Sequence, residues 1–271
     1  MHATSEEQKQ QFDPALHPVC FERPLRIAPS TWVGHVPFAM YLVDVLRPST
    51  IVELGTQYGV SYCAFCQAVS FLKLKTRCYA VDTWRGEDQA GPLTDHVLSE
   101  LKKHHDPLYS SFSQLIQSTF DDAVDRFAPG SVDLLHIDGY HTYEAVRNDF
   151  ETWQPKLSDR AVVLFHDTGV KTPGFGVWQL WDELREKYPS FEFSHWYGLG
   201  VLAVGPERSA GIGQFFEQAN AQPAVAEFFS RMGAEEGSRG YFPDSEKGGG
   251  GPLRVVRRGV GRMLRALNLR D

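Results

Sequence analysis

Between residues 32 and 204, short apolar runs alternate with longer stretches whose apolar residues recur at helical spacing. This alternation limits the fold more than any other feature of the chain. The runs Thr50–Leu54, Arg77–Val81, Leu115–Gln117, Val132–Ile137 and Ala161–Phe165 read as strands. Helices are predicted at Trp32–Leu46, 59–72, Thr94–Lys103 and Val177–Tyr188, and in the stretch marked by Tyr143, Val146, Phe150 and Trp153. Strands joined through helices must cross over and return parallel, which covers both faces of one sheet. The pattern then changes: Phe191–Ser194 and Val201–Val204 alternate apolar with polar around Gly198 and Gly200, predicting a closing hairpin. The expected fold is therefore α/β, a doubly wound, mostly parallel sheet with a C-terminal antiparallel hairpin.

Size supports a single domain of this kind, since 271 residues at 42% hydrophobic can bury a full core. Residues 1–18 read as a flexible arm, 19–245 as the domain, and 246–271 as a glycine-rich linker with a basic amphipathic tail. A net charge of −7 argues against nucleic acid as a partner. Four cysteines (Cys20, Cys63, Cys66, Cys78) are too few and too irregular for a disulfide framework, so a reducing compartment is expected. The polar N-terminus resembles no signal peptide, and no run reaches the roughly 18 apolar residues of a membrane span. A cytoplasmic protein is expected. Its oligomeric state, which includes a homo-oligomer, is left open.

The richest segment is Glu53-Leu54-Gly55-Thr56-Gln57-Tyr58-Gly59-Val60-Ser61, which leaves the first strand and opens a helix. Doubly wound folds bind nucleotides at such turns. The spacing is Glu-x-Gly-x-x-x-Gly rather than the tighter Gly-x-Gly-x-x-Gly that cradles a pyrophosphate, which disfavours an NAD-dependent oxidoreductase. An acid two positions before the first glycine suits a cationic cofactor, such as the ammonium and sulfonium of S-adenosylmethionine. Asp82 ends the second strand, where a carboxylate can accept from a ribose diol. Trp84 follows as a wall for adenine, Ser118 beyond the third strand is within reach of the same base, and Thr56, Ser61 and Thr83 lie in these turns.

Two further strand tips carry chemistry: Asp138 with His141 after the fourth, and His166-Asp167 after the fifth. In a parallel sheet they share an edge with Gly55 and Asp82. An alcohol is a poor nucleophile at neutral pH. Either a His taking its proton or a divalent ion depressing its pKa would remedy that.

Glu53–Ser61, Asp82-Thr83-Trp84, His136–His141 and His166-Asp167 together resemble class I S-adenosylmethionine methyltransferases of Rossmann-like fold, over residues 30–205. Within these the likeness is to macrolide-sugar and rhamnosyl O-methyltransferases and cephalosporin-hydroxylase-like proteins. The resemblance implies a closing hairpin and cofactor contacts at Glu53, Gly55, Gly59 and Asp82. It also implies methyl transfer to a hydroxyl of a sugar, glycan or other small molecule, with His141 as general base. Metal-dependent relatives hold magnesium with an Asp after the fourth strand and an acidic pair after the fifth. Here Asp138, His166 and Asp167 occupy those positions, and the His tilts the set toward softer metals. Glu53, Asp82, Asp138, His141 and Asp167 argue against a non-catalytic module that merely keeps the fold.

Smaller signals have structural readings. Cys63-x-x-Cys66 lacks a second ligand pair and reads as buried helix residues, and His35 as a helix-capping residue. Trp178 and Trp181 are expected to pack on the sheet, and His195-Trp196-Tyr197 is a candidate sugar-stacking segment. The tail from Leu253 to Asp271 places six arginines around an apolar stripe interrupted by Gly259 and Gly261, which suits either peripheral contact with an anionic membrane or a helix docked on the domain or on a second subunit.

Overall fold

The computed structural model describes residues 12–238, apart from 88–90 and 93–94. Seven strands form one sheet: β1 (Thr50–Leu54), β2 (Arg77–Asp82), β3 (Ser113–Gln117), β4 (Val132–Ile137), β5 (Leu157–His166), β6 (Ser190–Phe193) and β7 (Leu199–Ala203). Their order is β3-β2-β1-β4-β5-β7-β6. The pairs through β5 are parallel, whereas β7 runs antiparallel to both β5 and β6. The predicted doubly wound sheet and closing hairpin are both present. Strand order reverses between β1 and β4, and a ligand crevice opens at the carboxyl edge of such a switch point.

Eight α-helices accompany the sheet among the described residues: α1 (Val36–Leu46), α2 (Val60–Phe71), α3 (Asp95–Tyr109), α4 (Phe120–Ala123), α5 (Tyr143–Trp153), α6 (Val177–Leu184), α7 (Ala210–Ala221) and α8 (Pro223–Gly237). Two apolar layers result. Ile51, Leu134 and Leu164 face α1, α2, α3, α7 and α8, while Val52, Leu54, Leu135 and Phe165 face α4, α5 and α6. This period-2 alternation decides where each polar strand residue points. Thr142 caps α5 by accepting from the Ala145 N–H, and Arg47 ends α1 in the left-handed region just before Pro48.

The expected arm is described from residue 12, where Phe12 packs edge-on against Tyr41 and Phe228. Beyond it the chain runs along α2. Gln67 accepts from the Leu25 N–H at 2.8 Å and donates to the Arg23 carbonyl at 2.7 Å, and Arg26 donates to the Tyr58 carbonyl at 2.9 Å. The clamped strap carries Pro29, Ser30 and Thr31 to the carboxyl edge of the sheet. The linker and tail at 246–271 lie outside the described residues. No described helix is long and apolar enough to cross a membrane.

Candidate active site

A cavity of about 950 Å³ opens along the carboxyl edge of β1, β2, β4 and β5. Its walls include Gly55–Ser61, Asp82, Thr83, Thr119–Asp121, Asp138–His141, Asp149, Asp167 and Phe175. Gly55 and Gly59 hold φ of +89° and +77°, which only glycine adopts freely. A Cβ at Gly55 would run into the Asp138 carbonyl oxygen, so the β1 turn lies directly against the tip of β4. Asp82 fixes this turn: one carboxylate oxygen accepts from the Thr56 and Gln57 N–H groups, both at 2.8 Å, and the other from the Trp84 N–H at 2.6 Å. Thr56 and Ser61 are buried on the cavity wall, and Thr83 lies beside Asp82.

Three residues expected to touch a cofactor are placed elsewhere. Glu53 is fully buried and does not line the cavity. Lying between Val52 and Leu54, it points into the α1–α2 layer, where its carboxylate accepts from His136 Nδ1 at 2.8 Å. Trp84 is 2% exposed, and its indole N–H donates to the Gln57 carbonyl at 3.0 Å, bracing the turn from behind rather than walling adenine. Ser118 donates its backbone N–H to the Asp82 carbonyl, and the cavity wall begins one residue later, at Thr119.

At the other end of the cavity Asp138, His141 and Asp167 converge. His141 Nε2 stands 2.9 Å from Asp167 Oδ2 and 3.9 Å from Asp138 Oδ1. The Phe175 ring stacks on the imidazole, with centroids 4.8 Å apart. Burial alone would lower the His141 pKa, but the two carboxylates outweigh it and push it up to about 10. Burial would raise both carboxyls, and the facing histidines hold them below the usual range instead. Asp167 adopts φ of +62°, a conformation Asp tolerates better than most residues, and this swings its side chain to the cavity.

His166 corrects the expected metal set. It shares the inward face of β5 with Leu164 and is 2% exposed, with Nδ1 3.3 Å from Asp138 Oδ1 and 3.4 Å from Asp167 Oδ2. It supports the carboxylates from beneath. The group whose donor atoms lie within 4.8 Å of one another is Asp138, His141 and Asp167. Two carboxylates and one imidazole suit a divalent ion of borderline character.

The sequence did not single out Tyr140, Asp149 or Phe175. The short glycine-flanked stretch Gly174-Phe175-Gly176 was the available signal for Phe175. His35 stands at the N-cap of α1 as expected, but its side chain makes no capping bond; it is buried and donates Nε2–H to the Trp196 carbonyl at 3.1 Å. Of His195-Trp196-Tyr197, only Tyr197 lines the cavity. Trp181 packs under the sheet as expected, whereas Trp178 stays half-buried outside that core and donates its indole N–H to the Phe175 carbonyl at 3.2 Å; Cys63 and Cys66 are buried free thiols.

Residues 52–168 match the family described as Methyltransferase domain, which spans the strands β1 to β5 that carry the site. The uncharacterized protein y4gI of Sinorhizobium fredii is 51% identical over 183 residues, covering 68% of this chain. The chain spans only 20% of that protein's length. A Staphylococcus aureus structure provisionally assigned as a caffeoyl-CoA O-methyltransferase superposes with a TM-score of 0.50 at 13% identity, over 63% of this chain and 82% of that one. It shares the fold. A methyltransferase from Geobacter sulfurreducens gives 0.49 at 14% identity, over 72% and 89%.

Proposed function

We propose that this methyltransferase-domain chain is an S-adenosylmethionine-dependent O-methyltransferase acting on a hydroxyl of a sugar or glycan. What supports the reading is a single cavity with a nucleoside-ready end, at Gly55 and Asp82, and a proton-handling end, at Asp138, His141 and Asp167. Its volume of about 950 Å³ leaves room for a cofactor and part of an acceptor. Gly55 keeps the β1 turn free of a side chain, and Asp82 offers carboxylate lone pairs to a ribose diol while it anchors that turn. When bound, the cofactor supplies a methyl group on a sulfonium, a leaving group that departs as a neutral thioether.

The chain's own task is to orient the acceptor oxygen and dispose of its proton. His141 is the imidazole on the cavity wall, oriented by Asp167 at 2.9 Å and by the Phe175 ring. With its pKa near 10, it holds a proton at neutral pH rather than taking one. A divalent ion fits Asp138, His141 and Asp167 by donor chemistry and spacing. When bound, it supplies a Lewis acid for the acceptor oxygen and withdraws the carboxylate charge that keeps His141 protonated. Tyr140 and Tyr197, 41% and 46% exposed, present aromatic surface at this end, which suits the apolar face of a sugar ring.

From its sequence alone, the tail at 253–271 is assigned to an anionic membrane surface that would bring the enzyme to lipid-linked acceptors. The decisive experiment for the main reading is calorimetry with S-adenosylhomocysteine, followed by labelled methyl transfer to a panel of glycosides with and without chelator. Absence of cofactor binding, or binding of NAD instead, would overturn it.

A further inference from the structure

Away from the proton-handling end, the cavity is closed by an element that neither the glycine turn nor the histidine cluster uses. The first turns of α5 bring Asn148 and Asp149 against Phe120 and Asp121, which follow β3. Asn148 donates to Asp121 Oδ1 at 3.1 Å, joining the two elements. Between them lies Gly139, where a Cβ would press on the Phe120 ring and sit 3.4 Å from Asp149 Oδ2. Asp149 is 6% exposed, lines the cavity, and has one carboxyl oxygen without a hydrogen-bond partner in the protein. A buried acceptor left without a partner is unfavourable, and a bound ligand that donates to it would satisfy it.

Strand order says which part of a ligand arrives there. If Asp82 at β2 takes the ribose and the methyl group faces Asp138 and Asp167 at β4 and β5, the base must lie toward the β3 tip, beside Phe120 and α5. This rests on the cofactor reading above. We propose that Asp149 is a specificity-determining contact for the 6-aminopurine, its carboxyl pairing with the base's amino group and adjacent ring nitrogen. A protonated carboxyl offers one acceptor and one donor, matching the amino hydrogen and the ring lone pair of that edge. Burial pushes the Asp149 carboxyl up to about 7, and the Asp121 carboxylate on the facing element adds to the shift. A substantial fraction of the acid therefore carries its proton at neutral pH.

An asparagine offers the same acceptor and donor, so the test compares Asp149→Asn with Asp149→Ala by titrating S-adenosylhomocysteine into each full chain. Asp149→Asn should bind within about three-fold of wild type, and Asp149→Ala should lose at least about ten-fold. Wild type should lose a similar factor toward the purine-riboside analogue, which lacks the 6-amino group, and that loss should vanish in Asp149→Ala. The analogue arm with wild type stands even if the alanine variant fails to fold. Unchanged affinity in Asp149→Ala, an asparagine variant as weak as the alanine one, or equal wild-type affinity for the two ligands would overturn the contact. Wild type that binds neither ligand would overturn the cofactor reading and this contact with it.

Discussion

The indole N–H of Trp32 donates to Nε2 of His136 at 3.0 Å, linking residues 104 apart in the chain. Because indole can only donate, His136 must accept at Nε2 and carry its own proton on Nδ1, which then donates to Glu53 at 2.8 Å. Glu53 and His136 are register partners on β1 and β4, and both are fully buried. The relay ties the sheet to the strap that supplies Pro29–Thr31 to the cavity wall.

The first prediction separates this relay from cofactor contact. Glu53→Gln keeps an acceptor for His136 Nδ1–H and should cost little stability. Glu53→Ala leaves that buried donor unpaired and should cost about 1–3 kcal/mol in denaturant unfolding. Affinity for S-adenosylhomocysteine, measured where both variants are folded, should stay within a few-fold of wild type. A large, selective loss of affinity in Glu53→Gln would instead place the carboxylate on the cofactor.

The second prediction concerns the turn. Gly55→Ala must hold a left-handed φ, at about 1–2 kcal/mol, and push its Cβ against the Asp138 backbone. Its cofactor affinity should fall at least about ten-fold with a stability loss of about 2–4 kcal/mol. Gly59→Ala first meets the end of the Leu101 side chain rather than backbone, so its stability loss should be smaller than that of Gly55→Ala, about 1–2 kcal/mol for the left-handed φ. Equal losses in the two variants would mean that the approach of β1 to β4 does not matter.

Much of this site was legible in the sequence because strand tips are legible. Gly55, Asp82, Asp138 and Asp167 end apolar runs, and a parallel sheet brings such ends to one edge. What failed was direction. Glu53 and His166 lie in or beside those runs, and β1 and β5 are buried on both faces, so apolar content does not say which face a polar residue takes. Only the alternation with Val52, Leu54 and Phe165, once assigned to its helix layer, turns Glu53 and His166 away from the cavity. Trp84 failed for a different reason: its left-handed φ of +51° turns the chain just past Asp82. Helices α7 and α8 do not follow from the strand–helix alternation, although Phe215 and Phe229 mark their buried faces against Tyr41 of α1. Strand β5 begins at Leu157, ahead of the apolar run, because Ser158, Asp159 and Arg160 extend it with polar residues.

The third prediction tests the tail. Six arginines from Arg254 to Arg270 against one acid should draw the full chain onto anionic vesicles, each contributing about 1 kcal/mol near the surface. A chain ending at residue 245 should stay in the supernatant, and raising salt should release the full chain. Equal sedimentation of both chains, or of neither, would remove the membrane assignment.

The last prediction follows the proton at the acceptor end. His141 and His166 are both pushed up to about 10, from an ordinary value near 6.5, by the carboxylates of Asp138 and Asp167. A raised folded-state value contributes stability that is complete below the unfolded value and is lost as pH climbs through the folded one. Without divalent ions, unfolding free energy should therefore decline between about pH 6.5 and 10. In His141→Gln the decline should be shallower, from a lower start. Turnover in chelator should rise over the same window, because only the neutral imidazole can accept the acceptor's proton. An ion at Asp138, His141 and Asp167 would compete with that proton, so the melting shift given by added Mn²⁺ should grow from pH 6.5 to pH 9. Stability that is flat across this range would show that the carboxylates do not hold the His141 proton, and an ion-independent melting temperature at pH 9 would remove the metal while leaving His141 as the base.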